Sequence, residues 1–207
     1  MRKPILGALF SALLTLIAAM ALRAADATLA VAAVAAVAVL FTWYAQLHST
    51  EERGTLGLAN PASAVTLAVV GRRPWGTLLP VLAAHTVGAV IGGFVALALE
   101  DKLGDTLVFT QPGLVVTAVG AALVGLLGAW VTLSIDGGGN ETLSAVPTIV
   151  AGAVLPLGLI AAFQPAAVIG LATAGLVPWD VALVAAGVVL AASAAGAYAV
   201  SLLVPQE

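Results

Sequence analysis

Apolar runs of near-membrane length dominate the chain, and short polar clusters punctuate them. Arg23 and Asp26 close the first run, and Glu51-Glu52-Arg53 the second. Glu100-Asp101-Lys102, the loop Asp136-Gly137-Gly138-Gly139-Asn140-Glu141 and Pro178-Trp179-Asp180 mark later breaks. A spanning helix needs roughly 20 apolar residues. The pattern therefore predicts six spans, at about 4–24, 28–48, 76–99, 112–134, 144–162 and 181–204. Two further apolar segments, about 57–70 and 164–176, are too short to cross comfortably.

The short segments carry Asn60-Pro61-Ala62 and Gln164-Pro165-Ala166. Asn is a preferred helix N-cap, and Pro is favoured at the first helical position. Each segment is expected to start a short helix whose N-terminus presents unpaired N–H groups and partial positive charge. The order is span, span, short segment, span, and it occurs twice. Three crossings per half force the two halves, about 1–104 and 105–207, to lie inverted in a single membrane domain. Paired interrupted segments at corresponding places point to a transport site at the repeat interface. Non-helical backbone at that depth survives only where protein packs it or it lines a wet cavity.

Composition sharpens the membrane expectation. The 207 residues are 62% hydrophobic and 8% charged, whereas a soluble domain carries about 25% charged residues. Mean hydropathy is +1.16. A net charge of -3 gives no reason to expect a nucleic-acid partner. The absence of Cys excludes disulfides and thiolate chemistry, and two His give no basis for a catalytic metal site or other cofactor. No nucleophile, base and acid cluster together, so an enzyme is not expected.

The N-terminus has signal-peptide features: Arg2 and Lys3 before an apolar run, then Ala25-Asp26-Ala27. The run from Pro4 to Leu22 exceeds the usual signal core, so a retained first span is expected. With the N-terminus inside, Arg2, Lys3, Arg53, Arg72 and Arg73 face inward, and Arg23 and Lys102 outward. The positive-inside rule favours that orientation. Both termini are then cytoplasmic in a multi-pass plasma or inner membrane protein, with the lipid bilayer as its surroundings.

Several residues have simpler structural readings. Trp43, Tyr44, Trp75 and Trp179 fall near expected span ends and suit interface anchoring, and His48 lies near an inner span end. Gly88 and Gly92 have the spacing of close helix packing. His85 fits a hydrogen-bonded packing residue, with a gate as the alternative, because an ionisable group within a span is a functional candidate.

The chain resembles the aquaporin and glycerol-channel (major intrinsic protein) family. The resemblance rests on Asn60-Pro61-Ala62, Thr66-Leu67-Ala68, Gly71-Arg72 and Pro74-Trp75 in the first half. Ala84-His85-Thr86-Val87-Gly88-Ala89 is similar to the family's third-span Ala-Gln-x-x-Gly-Ala. Gln164-Pro165-Ala166 with Gly170 has the spacing of the second family motif. The resemblance implies an all-α membrane protein with six transmembrane helices and two re-entrant half-helices in an inverted repeat. It also implies a homotetramer with one pore per subunit. The pore motifs would be Asn60, Pro61, Ala62, Gln164, Pro165 and Ala166, and the selectivity filter would include Ala161 and Ala167. Gln164 stands in place of the second Asn, and Ala167 in place of the filter Arg. The usual glutamates of the first and fourth spans are absent, and spacing to Thr15 puts Ser11 at the first of these places.

These features imply an aquaporin-like channel for passive movement of water or small neutral, glycerol-like solutes. Without the filter Arg the outer constriction is expected to be wider or less polar. The alternatives are a non-conducting scaffold with the same fold and a small secondary transporter.

Overall fold

The computed structural model describes residues 2–23, 61–103, 113–138 and 164–203. Among them every regular element is helical. The helices are α1 (Arg2–Arg23), α2 (Pro61–Val69), α3 (Leu78–Ala98), α4 (Glu100–Leu103), α5 (Leu114–Gly138), α6 (Pro165–Thr173) and α7 (Trp179–Leu203), with a 3-10 turn at Trp75–Thr77 before α3. Among the described residues, two helices have the length and hydropathy to cross a membrane: Trp75–Ala98, of 24 residues, and Trp179–Leu203, of 25. Both exceed the roughly 20 residues that a hydrocarbon core requires. Shorter apolar stretches, Ile5–Met20 and Leu114–Trp130, lie in α1 and α5. The expected spans 28–48 and 144–162 lie outside the described residues.

The long helices associate in two pairs, α1 with α3 and α5 with α7. Small residues set both seams. A Cβ on Gly88 would strike the Ala8 carbonyl, and one on Gly92 the Ala12 carbonyl. Both contacts advance together along the chain, so α1 and α3 run parallel. A Cβ on Gly125 would lie 2.6 Å from the Val189 carbonyl, and one on Gly196 would lie 3.0 Å from the Ala129 side chain. That pair is parallel too. Small residues allow such backbone approach, and dispersion and carbonyl contacts then hold the helices. Ser193 adds a hydrogen bond from its hydroxyl to the Gly125 carbonyl at 3.3 Å.

The two nine-residue helices are seated across the halves. Helix α6 packs against α1 and α3, while α2 packs against α5 and α7. Each also touches the long helix that follows it, and the two short helices touch each other. Around α6, Leu171, Ala174 and Leu176 join Ala18, Ala19, Leu22 and Ala96 in one apolar cluster. Val168 and Ala172 join Ala182, Ala185 and Ala186 in another.

The polarity of the bundle is distinctive. Exposed positions on α3 include Leu79, Val87, Ile91 and Phe94; those on α5 include Val115, Val119, Leu127 and Trp130. Leu183, Tyr198 and Leu202 continue this surface on α7. Buried positions on α3 are mostly small, including Gly88, Ala89, Gly92, Gly93 and Ala96, with His85 among them. On α3, large apolar side chains therefore point mostly outward, and small or polar groups mostly inward.

Candidate functional site

The short helices begin and end by the same local chemistry. Pro165 occupies the first turn of α6, and Gln164 precedes it with extended-side backbone angles of φ -127 and ψ 85. The Gln164 side chain makes no capping hydrogen bond, but its carbonyl accepts from the Ala167 N–H at 2.9 Å. Helix α2 begins at Pro61. Asn60, its expected cap, lies outside the described residues, as does Ala161.

At the other end, each helix closes on a glycine in the left-handed region. Gly71 and Gly175 both have φ 74. The Gly71 N–H donates to the Ala68 carbonyl at 3.1 Å and Arg72 N–H to Leu67 at 2.9 Å. The Gly175 N–H donates to Ala172 at 3.0 Å and Leu176 N–H to Leu171 at 3.0 Å. This is the Schellman closure, in which glycine avoids the Cβ clash of the left-handed conformation. Pro74-Trp75 and Pro178-Trp179 then follow each glycine at one spacing. The separation between the glycines equals that between Pro61 and Pro165, so the repeat holds without a gap from the start of each short helix to the helix after it. The same offset pairs buried Val81, His85, Ala89, Gly92 and Gly93 of α3 with buried Ala185, Val189, Ser193, Gly196 and Ala197 of α7.

The seats of the two helices differ. In α2 the Ser63 hydroxyl lies 3.0 Å from the Thr132 hydroxyl on α5. Thr132 donates to the Gly128 carbonyl at 2.7 Å, which leaves Ser63 as donor to Thr132. At the corresponding place in α6, Ala167 brings no hydroxyl. Helix α6 is instead held by close packing. A Cβ on Gly93 would strike the Gly170 carbonyl and lie 2.9 Å from the Thr173 Cβ. One on Gly170 would strike the Ala89 carbonyl and meet Thr15 Cγ2 at 2.5 Å.

Buried polar groups surround both seats. Gln164 is 1% exposed and Ala167 0%. Pro61, Ala62, Pro165 and Ala166 are also buried. His85 is buried at the α1–α3 seam, with Nδ1 2.6 Å from the Ser11 hydroxyl. The Phe10 ring meets the imidazole edge-on, with centroids 6.3 Å apart. Gly7 leaves room for the ring, because a Cβ there would lie 3.1 Å from His85 Nε2. The hydroxyls of Thr15 and Thr66 are buried without a hydrogen-bond partner among the described residues. Far from this centre, Arg23 and Glu100 approach to 3.4 Å.

The structure thus brings the two Pro-Ala motifs onto touching helices and places His85 in a neighbouring seam. Sequence reasoning missed the Ser63–Thr132 bond, because nothing in the local pattern marks Thr132. It also missed the Ser11–His85 pair, whose members lie on separate helices. Among the described residues, no group of three His, Cys, Asp or Glu side chains is arranged to hold a metal ion. No protein-family model, curated protein or solved structure matches the chain.

Proposed function

We propose that the chain is a passive membrane channel of the aquaporin-like kind, conducting water or small neutral solutes. The observation that carries this reading is the matched pair of short helices. Each begins at a Pro-Ala motif, closes by the same glycine turn and sits against the long helices of the other half. Two helix starts that converge inside a bundle concentrate N–H donors and positive potential. Such a centre favours neutral, hydrogen-bond-accepting solutes and opposes cations. The outward-facing Leu79, Ile91, Phe94, Val115 and Leu127 support lipid surroundings, because water solvates so large an apolar surface poorly.

In this reading six spans and two re-entrant half-helices form the inverted repeat, with both termini on the cytoplasmic side of a plasma or inner membrane. Asn60 and Gln164 supply amide donors beside the path, and Pro61 and Pro165 fix the starts of the half-helices. Ala62 and Ala166 allow those starts to approach. Ala161 and Ala167 belong to the outer constriction. Four copies assemble with one path each, and transport needs neither cofactor nor covalent step.

Stopped-flow light scattering on proteoliposomes tests the reading. Vesicles holding the protein should take up water, glycerol, urea or ammonia faster than empty vesicles. Flux equal to that of empty vesicles for all four would contradict it. One observation favours the non-conducting scaffold as a second reading: Gln164 and Ala167 are 1% and 0% exposed. The same flux experiment separates the two.

A further inference from the structure

We propose that the turn between α2 and α3 binds the phosphate headgroup of an anionic phospholipid, with Arg72 and Arg73 as its ligands. The proposal rests on the bilayer surroundings of the proposed function and not on conduction. The turn is well ordered by its own hydrogen bonds. The Arg72 and Arg73 N–H groups both donate to the Leu67 carbonyl, at 2.9 and 3.1 Å. The Arg73 side chain is braced as well. Its Nε donates to the Thr77 hydroxyl at 3.0 Å, and that hydroxyl donates to the Pro74 carbonyl at 2.8 Å. This bond uses one of the five guanidinium donors, and it holds at the start of α3 the planar fork that suits a phosphate. Arg72 beside it is exposed. A guanidinium ordered in advance loses less freedom when it takes up an anion.

The surface beside the two cations has the sequence of a lipid. Trp75 and Leu79 are strongly exposed, and Val87 and Ile91 continue the exposed apolar track along α3. Leu79 to Ile91 rises about 18 Å, against roughly 15 Å for the chains of one leaflet. Guanidinium, indole and aliphatic track thus follow one another in the order of phosphate, interface and acyl chain. Charge selects an anionic lipid. Arg2 and Lys3 open α1, which runs parallel to α3, so they add basic residues at this end. Each basic residue near the surface strengthens attraction to anionic lipid. The second turn is an internal control. It closes in the same way at Gly175, and Trp179 and Leu183, both exposed, stand where Trp75 and Leu79 do. Leu176 and Val177 replace the arginines there, and Leu176 is buried in the apolar cluster. Val181 takes the place of Thr77, and Asp180 that of Gly76. The turn itself therefore requires no cation.

Tryptophan quenching by brominated lipid reads the site in the reconstituted protein. One version keeps Trp75 alone (Trp43→Phe, Trp130→Phe, Trp179→Phe), and another keeps Trp179 alone (Trp43→Phe, Trp75→Phe, Trp130→Phe). Each is quenched in phosphatidylcholine vesicles by phosphatidylglycerol or phosphatidylcholine brominated near the top of the acyl chains. At Trp75 the anionic lipid should be preferred about fivefold or more, the scale of one basic residue's attraction. Adding Arg72→Gln and Arg73→Gln should bring that preference to within about twofold of unity, the value also expected at Trp179. No preference at Trp75, a preference that survives both glutamines, or an equal preference at Trp179 would overturn the proposal. Excess inorganic phosphate at constant ionic strength should leave the preference in place. Its loss would assign the arginines to a free anion and overturn the headgroup site. Protein that fails to float with phosphatidylcholine vesicles would overturn the bilayer reading and the site with it, whereas floating protein without a lipid preference overturns the site alone.

Discussion

The two short helices are alike in their ends and unlike in their seats. Both start at Pro-Ala and close at a glycine with φ 74. Yet α2 is fastened to α5 by a hydroxyl bond, while α6 lies in a glycine-lined slot between α1 and α3. Local backbone chemistry fixes where each short helix begins and stops, and this the two halves share. The contacts that hold each in place are tertiary, and there the halves have taken separate routes. A hydrogen-bonded seat tolerates changes of volume better than a slot does. A slot tolerates loss of polarity better.

The largest expected effect follows from that contrast. Gly170→Val should destabilise the protein by about 3 kcal/mol or more, because the added carbons meet backbone and Thr15 rather than a yielding side chain. The corresponding residue of α2 is Thr66, whose buried hydroxyl has no partner among the described residues. Thr66→Val should therefore cost less than about 1 kcal/mol and could stabilise, since it removes an unsatisfied buried group. Thermal unfolding in detergent measures both. Equal losses would show that the seats do not differ as described.

A second pair exchanges the chemistry of the two seats. Ala167→Ser buries a hydroxyl in the packed slot and should cost about 1–3 kcal/mol. Ser63→Ala removes the bond to Thr132 but leaves Thr132 its bond to Gly128, so the loss should be about 1 kcal/mol. The order of the two melting temperatures decides the matter: the Ala167→Ser variant should melt lower.

How much of this was legible in the sequence follows the same division. The start of each short helix was readable because capping and proline preferences act within a few residues, and both short helices fall inside the expected segments. The long helices α3 and α7 were readable because their apolar runs exceed the length that a membrane requires. The expectations for Asn60, Ala161 and the spans 28–48 and 144–162 lie outside the described residues. The seats were not readable. Ser63 and Thr132 are far apart in the chain, and Thr132 has no local signature. Gly170 carried a motif spacing, but that spacing could not reveal Thr15 and Ala89 as its walls. Ser11 was marked only by its distance from Thr15, and its bond to His85 depends on the parallel register of α1 and α3.

Equal effects should fall on the features the halves share. Gly71→Ala and Gly175→Ala each place a side chain in the left-handed region, with open space around it. Each should cost about 1–2 kcal/mol from backbone strain alone. The two costs should agree within the precision of a melting experiment, and a marked difference would mean that the matched closures are not equivalent.

The crossed seating of the short helices is the central claim, and one cross-link tests it most directly. Ser63→Cys with Thr132→Cys places two thiols where two hydroxyls lie 3.0 Å apart, in a chain otherwise free of Cys. Mild oxidation of the reconstituted double variant should form an intramolecular disulfide, seen as a reducible shift in electrophoretic mobility and loss of free thiols. Two thiols that both stay free under conditions that oxidise a control pair would contradict the seating of α2 against α5, and with it the account of how the two halves are joined.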